Sequence, residues 1–257
     1  MLNKAPADWF RVAELAPGVW GIGEFGHYEE VLSFLLTGDD EAVLIDTGLG
    51  FFSMKALVQE LTDLPCRVIN THSHFDHIGS NAEFAEVALF DHPLSHKYAH
   101  EGVGAHELAY WITPKQFTVP RPPLPEPYTI QPFPHARYFQ AGDTVSLAPY
   151  TLEILHTPGH SEDSVSFYDA ARGILFPGDL FYDGPIYIEG GDGWAKYRRS
   201  VSQMTALPDL QRIFTSHNAF EFSLAQLAEL QRAVAAIEDD DLTATVELSG
   251  RMSLVPE

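Results

Sequence analysis

His72-Ser73-His74-Phe75-Asp76-His77 is the stretch on which the interpretation of this sequence depends. It places three histidines and an aspartate, all common metal ligands, within six residues. The preceding run, Cys66 to Thr71, is short and rich in β-branched residues, which predicts a buried strand that carries the ligands into the loop after it. Residues two apart in an extended chain face the same way, so His72 and His74 can bind one ion. The last two residues of the stretch, beyond a bend, can then face a second ion.

Length and composition limit the class of protein. A chain of 257 residues suits one large α/β domain or two small ones, and we predict a single domain over residues 1–257. No apolar run approaches the roughly 20 residues that span a membrane. Residues 1–8 lack the layout of a secretion signal, and the single Cys66 excludes an internal disulfide. We therefore expect a cytoplasmic protein without a membrane partner.

The charge of the chain argues against nucleic acid as a partner. A net charge of −21 would repel a phosphate backbone unless a basic patch offset it, and Arg198-Arg199 is the only adjacent basic pair. The expected partner is a small-molecule acyl substrate, for the reasons given below. Assembly into a homodimer is compatible with the sequence.

Apolar patterns and turn residues predict an alternation of strands and helices, beginning with an antiparallel meander. The predicted strands are Val19 to Phe25, Val31 to Thr37, Ala42 to Asp46, Cys66 to Thr71, Val87 to Phe90, Thr144 to Leu147, Thr151 to His156, Val165 to Tyr168, Gly173 to Phe176 and Arg212 to Thr215. The predicted helices are Phe52 to Leu64, Asn81 to Glu86, residues 93–110, Trp194 to Leu207 and Leu224 to Ile237, the last with a capping box of Ser223 and Gln226. An acidic run follows from Glu238, with a further strand after it.

Pro114 to Pro134 differs from the rest of the chain, because it holds eight of the 18 prolines. Proline fixes φ and removes a backbone donor, so this segment cannot be a helix or a central strand. Two interpretations stay open. The segment is either a surface linker or a semi-rigid loop that covers the active site.

Three residues later in the chain extend the ligand set. His160, Asp179 and His217 each follow directly after a predicted strand. With the first stretch they make five histidines and two aspartates, enough for two zinc ions and an open position. Two dications that share an oxygen lower the pKa of a bridging water to near neutrality, and one of them can polarise a carbonyl group. The residues therefore point to hydrolysis.

The order and spacing of these motifs resemble the metallo-β-lactamase-fold hydrolases over roughly residues 17 to 220. That resemblance implies an α/β fold built as a four-layer αββα sandwich. It assigns His72, His74 and His160 to the first metal, Asp76, His77 and His217 to the second, and Asp179 to a bridging position. It also implies that Asp46, in Leu44-Ile45-Asp46-Thr47-Gly48, is an acid that lies behind the ligands and supports them.

The resemblance implies a mechanism in which a hydroxide bridging two zinc ions attacks an activated acyl carbonyl. Iron or manganese would suit the same donors. We assign Asp76 the further catalytic role of orienting the hydroxide and passing a proton to the leaving group.

The substrate most consistent with the sequence is a thioester of the acyl-CoA or acyl-glutathione type. Leu155 to Ser161 and Leu175 to Gly184 resemble the acyl-CoA thioesterase branch of the fold. A thiolate leaves with little acid assistance, since the pKa of a thiol is only about 8.5. The phosphates of CoA would need basic partners. Four arginines are candidates: Arg121, Arg137, Arg198 and Arg199.

Two other activities stay open. Tyr182 matches a tyrosine of the N-acyl homoserine lactone lactonases, where it would donate a hydrogen bond to the substrate carbonyl or the oxyanion. A mononuclear iron persulfide dioxygenase uses the same fold and the same ligand stretch. Metal content separates the dioxygenase from the hydrolases.

Further histidines allow both structural and functional interpretations. His92, His96 and His100 recur every four residues and could line one face of a helix, either as a solvated face or as a third metal site. His27 and Tyr28 fall in the first hairpin turn, where they would contact substrate or lie on the plain surface.

Overall fold

A computed structural model describes residues 5–237 and 242–256. The chain divides into two compact units, which are described separately: the first comprises the described residues up to 139 together with 147–149, and the second comprises residues 140–146 and 150 onward. The prediction of a single domain stays a prediction. No helix within the described ranges is long and apolar enough to cross a membrane.

The first unit is built on a seven-stranded sheet in which the strands lie in chain order. Its strands are β1 (Phe10–Ala16), β2 (Val19–Glu24), β3 (Leu32–Thr37), β4 (Ala42–Ile45), β5 (Cys66–Ile69), β6 (Val87–Phe90) and β7 (Arg137–Phe139). Strands β1 to β4 pair antiparallel, which confirms the predicted meander, and β4 to β7 pair parallel. Because parallel neighbours end at the same edge, the residues after β4 and after β5 lie side by side.

Helices connect the parallel strands of this unit: α1 (Met54–Leu61), α2 (Phe75–Ile78), α3 (Pro93–Glu101) and α4 (Ala105–Leu108). The first of them is shorter than predicted, since Ser53 caps it by accepting a hydrogen bond from the Ala56 N–H. The predicted helix over 93–110 is divided at Gly102. There φ is +68° and an added Cβ would lie 2.1 Å from the Ile130 carbonyl oxygen, so only glycine fits.

The proline-rich segment 114–134 forms only a 3₁₀ turn at Pro114–Gln116, as the loss of backbone donors predicts. Burial of Phe117 and Tyr128 in the core of the first unit holds it in place, and so do the two backbone hydrogen bonds between Ile130 and Val103. The Tyr128 hydroxyl donates to the Leu49 carbonyl at 3.0 Å, and its ring packs on Phe51 with centroids 5.2 Å apart. The segment is therefore anchored to the loop after β4. Its role as a cover over the substrate stays a prediction.

The second unit contains two sheets. The larger has the order β13-β11-β10-β9-β8 and the smaller β12-β15-β14. Their strands are β8 (Thr144–Leu147), β9 (Tyr150–His156), β10 (Val165–Asp169), β11 (Ile174–Phe176), β12 (Pro185–Ile188), β13 (Arg212–Ile213), β14 (Val246–Glu247) and β15 (Ser253–Pro256), and its helices are α5 (Gly193–Thr205) and α6 (Leu224–Ala236). Ser223 and Gln226 form the predicted capping box. The start of the acidic run, residues 238–241, lies outside the described residues.

Glu24, the last residue of β2, is a buried carboxylate that joins two distant parts of the first unit. It accepts the indole N–H of Trp9 at 2.8 Å and the backbone N–H of Leu49 at 2.7 Å. A Cβ at position 48 would lie 1.8 Å from the Glu24 carboxylate, so only glycine lets the loop after β4 come this close to it. Burial raises the pKa of Glu24 from 4.5 to about 7, although both hydrogen bonds act to lower it.

The variant Glu24→Gln removes this titration. A raised pKa means that the folded chain binds this proton more tightly than the unfolded chain, so the contribution to stability is fully present below pH 4.5 and is lost as the pH rises through about 7. Relative to Glu24→Gln, the free energy of unfolding of the wild type should therefore fall over this interval, by up to about 3 kcal/mol. Urea unfolding of the metal-free protein at several pH values measures it. The exposed Glu86→Gln is the control, and parallel curves for wild type and Glu24→Gln would show that Glu24 does not titrate there.

Candidate metal centre

The predicted ligand stretch forms one cluster at the end of β5. The rings of His72 and His74 have centroids 4.5 Å apart, and those of His72 and His77 are 4.1 Å apart. Asp76 Oδ2 lies 3.6 Å from His77 Nε2. The bend predicted after His74 is the short helix α2, which turns Asp76 and His77 back toward the strand end. Three of the four ligands are buried, and His74 is half-buried.

Asp46 lies behind this cluster, where the resemblance predicts a supporting acid. It follows β4 directly and has a φ of +61°, a conformation that aspartate tolerates better than most residues. Its Oδ2 lies 2.9 Å from His77 Nδ1. A carboxylate can only accept, so Nδ1 carries the proton and Nε2 has the lone pair that a metal requires.

Thr71 links Asp46 to His72 and sets the tautomer of that imidazole as well. The Thr71 hydroxyl donates its only proton to Asp46 Oδ2 at 2.7 Å and lies 3.1 Å from His72 Nδ1. Since that proton is already used, the imidazole must be the donor in the second contact. Nε2 of His72 is therefore also the nitrogen left to bind a metal. One carboxylate thus sets the tautomers of two ligands.

Buried amides hold the backbone of the cluster. Asn70 Nδ2 donates to the His77 carbonyl at 2.8 Å, and Asn81 Nδ2 donates to Asn70 Oδ1 at 2.9 Å. The Thr47 hydroxyl donates to Asn81 Oδ1 at 2.8 Å. These residues are absent from the site predicted from the sequence. The available signal was the position of Asn70 and Thr71, two polar residues between an apolar strand and the ligands.

The second unit brings the three later ligands together. His160 Nε2 lies 3.4 Å and His217 Nε2 lies 3.1 Å from the same oxygen of Asp179, and the Ser216 hydroxyl donates to the other oxygen. All three predicted ligands are buried. Asp179 lies between two imidazoles, as a bridging carboxylate would.

The tautomer of His160 is set by the backbone. Its Nδ1 lies 2.9 Å from the Tyr187 carbonyl, which can only accept, so Nε2 again has the lone pair. The loop of His160 is shaped by Gly159, whose φ is +136° and whose added Cβ would lie 2.5 Å from Tyr197 Cα. Any other residue would displace this loop from α5.

Tyr182 lies beside the second cluster. Its ring centroid is 4.9 Å from that of His217, and its hydroxyl donates to the Pro185 carbonyl. The ring therefore supports a ligand. The catalytic role predicted for the hydroxyl stays a prediction, and it requires the hydroxyl to exchange Pro185 for the substrate.

His27 and Tyr28 have different environments. The ring of His27 is fully buried and its Nε2 contacts the Trp111 carbonyl at 2.9 Å, so this side chain does not lie on an exposed rim. Tyr28 is 64% exposed. Contact of either residue with substrate stays a prediction.

The helical histidines have local roles in the structure. His92 caps α3 by accepting from the Leu94 N–H, and His96 pairs with Asp91 at 2.8 Å while stacking on Tyr138. Within residues 5–237 and 242–256 these histidines form no metal cluster.

The donors present fit a metal of zinc type. Imidazole nitrogens and carboxylate oxygens are its ordinary ligands. Imidazole binds in its neutral form, and in that form the three hydrogen bonds described above leave the lone pair on Nε2. With neutral histidines, the two aspartates give the seven residues a formal charge of −2. That charge suits divalent cations.

The chain belongs to the metallo-beta-lactamase superfamily, whose family model matches residues 29–217. The predicted α/β fold class of the metallo-β-lactamase type is thereby confirmed. A solved structure with the same fold, a metallo-beta-lactamase family protein from Thermus thermophilus, superposes with a TM-score of 0.65 at 20% identity and covers 87% of this chain and 81% of its own.

Two curated relatives carry functional names. The acyl-coenzyme A thioesterase MBLAC2 of Gallus gallus is 30% identical over 194 residues, which are 70% of this chain and 68% of the relative. A hydroxyacylglutathione hydrolase of Aeromonas hydrophila is 24% identical over 216 residues, which are 81% of this chain and 66% of the relative.

The variant Asp46→Asn tests the tautomer argument. In the wild type, one Asp46 oxygen accepts from the Thr71 N–H, and the other accepts from the side chains of Thr71 and His77. Asparagine replaces one of these oxygens with an NH₂ group, which in either orientation faces another donor. We expect zinc affinity to fall by roughly 10- to 100-fold. Competition with a chromogenic chelator measures it. The exposed Asp40→Asn is the matched control, and wild-type zinc affinity in Asp46→Asn would contradict the assignment.

Proposed function

We propose that this protein is a dinuclear zinc hydrolase of thioesters, in which the two clusters of ligands bind the metals together. His72, His74 and His160 would hold one ion, Asp76, His77 and His217 the other, and Asp179 would bridge them. The observation that carries the proposal is the presence of all seven donors, with the tautomers of His72, His77 and His160 set to present Nε2. Asp46 and Thr71 orient two of these imidazoles by accepting from their Nδ1 atoms.

When bound, the zinc pair supplies a water that ionises near neutral pH and a positive charge that polarises the acyl carbonyl. The residues of the chain place and protonate the reactants. Asp76 is the proposed catalytic carboxylate. Its Oδ2 lies 3.6 Å from His77 Nε2, and an ionised carboxylate there could take up the proton of the attacking water and pass it to the leaving group. Ser216 donates to the oxygen of Asp179 that faces away from the histidines, which fixes that carboxylate in place.

Thioesters are favoured over other acyl substrates for two reasons. The two relatives described above are named as hydrolases of acyl-coenzyme A and of hydroxyacylglutathione. A thiolate also leaves without a strong general acid, because the pKa of a thiol is about 8.5. A lactonase is the second candidate, supported by the packing of Tyr182 on His217.

Thiol release from acyl-CoA and acyl-glutathione panels tests the proposal. We expect about two zinc ions per chain, hydrolysis that a chelator abolishes, and recovery when zinc is restored. His74→Ala should lose metal and activity, whereas the exposed His106→Ala should keep both. Metal-replete protein that opens lactones but leaves thioesters intact would favour the lactonase. One iron per chain with oxygen-dependent turnover of a persulfide would establish the dioxygenase instead.

The variant Tyr182→Phe tests the second proposed catalytic residue. It removes the hydroxyl and keeps the ring that packs on His217. If the hydroxyl moves from Pro185 to the developing oxyanion, kcat should fall by roughly 100- to 1,000-fold at unchanged zinc content. Steady-state kinetics with metal analysis measure both quantities. An unchanged kcat would limit Tyr182 to supporting His217.

A further inference from the structure

Phe75, Tyr110 and Trp111 form an aromatic ledge, and Phe75 belongs to the segment that carries the first ligand cluster. Trp111 stacks on Phe75 with ring centroids 5.0 Å apart and an angle of 26° between the planes. Tyr110 meets Trp111 edge-on at 4.9 Å. Phe75 stands between His74 and Asp76 in the chain, so the ledge is joined covalently to the segment that carries two predicted ligands.

The ledge is held in place by His27. Its Nε2 donates to the Trp111 carbonyl at 2.9 Å, and its Nδ1 accepts the Glu29 N–H at 3.2 Å. Both ring nitrogens are thus used by a neutral imidazole, and burial lowers the pKa of His27 in agreement with that state. This rigid contact accounts for a buried histidine in the first hairpin.

Large aromatic surface is exposed at this place. Tyr28 and Tyr110 are each 64% exposed, more than any other large apolar side chain in the described part of the chain. The Tyr28 N–H donates to the Gln116 carbonyl at 2.8 Å, which fixes Tyr28 to the segment that follows Trp111. Exposed aromatic faces on a rigid support are suited to stacking with a planar ligand.

A cation adjoins the ledge. Arg121 Nε donates to the carbonyl of Ile112, the residue after Trp111, at 2.8 Å. The guanidinium is half-buried and keeps its terminal nitrogens for other acceptors. Glu29 and Glu30 flank Tyr28 on the hairpin side, so an anion would bind on the Arg121 side.

We propose that the ledge and Arg121 bind the leaving group of the substrate, and that this leaving group is a thiol that carries a phosphorylated nucleotide. This inference rests on the proposed thioester hydrolysis. The base would stack on Trp111 and Tyr110, and a phosphate would pair with Arg121. In such a thiol a flexible arm separates the sulfur from the nucleotide, so the nucleotide need not contact the metal ligands. A peptide thiol has no planar ring to use the ledge.

The test compares one acyl group on two thiols, coenzyme A and the truncated N-acetylcysteamine. In Arg121→Gln and in Trp111→Ala, kcat/KM for the CoA ester should fall relative to the truncated ester by roughly tenfold or more. Arg121→Lys and Trp111→Phe should restore part of the ratio. Arg11→Gln, an exposed arginine of the same unit, should leave it unchanged. An equal loss on both esters would show that Arg121 only supports the fold through Ile112, and would overturn the inference.

Direct binding separates this inference from the proposed function. Calorimetry with 3′-phosphoadenosine 5′-diphosphate on the zinc-loaded protein should detect binding that Arg121→Gln weakens by roughly tenfold. Wild-type protein that cleaves thioesters but does not bind this nucleotide would refute the leaving-group assignment alone. Protein that binds the nucleotide but cleaves no thioester would refute the proposed function and retain the nucleotide site.

Discussion

The Asp46 carboxylate is the group on which the first ligand cluster depends. Four donors converge on its two oxygens: the Thr71 N–H and hydroxyl, His77 Nδ1 and the Asn70 amide. Two of these contacts determine which nitrogen of His72 and His77 is available to a metal. The convergence is possible because β4 and β5 are parallel neighbours, so the residues that follow them emerge at one edge of the sheet. The pairing of β4 with β5 therefore decides which ring nitrogen of neutral His72 and His77 carries the proton.

Much of this arrangement could be predicted from the sequence because metal ligands are chemically distinctive. The six-residue stretch and the three later donors are polar residues placed after apolar strands, and the sequence alone shows that pattern. The supporting role of Asp46 was implied by the family resemblance. The meander could be predicted from its turns. Strand β1 is absent from the predicted strands because its apolar residues do not alternate regularly with polar ones, so its sequence lacks the period of two that marks a strand. Strand β12 was missed because its partner β15 lies more than sixty residues further along the chain.

Other features could not be predicted because they arise from contacts between distant segments. The sequence does not show that the Thr71 hydroxyl contacts both Asp46 and His72, so the effect of Asp46 on His72 could not be predicted. His27 falls in a turn where exposure is expected, yet its ring is enclosed because it bonds to Trp111, 84 residues further along the chain. Gly102 divides a helix only because Ile130 approaches it. In each case the residue can be seen in the sequence, but its contact partner is known only from the folded structure.

The separation of Asp46 and His77 by 31 residues has a consequence for the unfolded chain. The ligand stretch is continuous in sequence, so an unfolded chain keeps four donors close together, whereas it loses the carboxylate that selects their tautomers. Such a flexible peptide still captures divalent metal. Free metal therefore stabilises the fold by less than the affinity of the native site implies, since part of the binding free energy is also available to the denatured ensemble. The bare peptide lacks the contacts of Asp46 and Thr71 with its histidines, and it also lacks the three donors of the second unit.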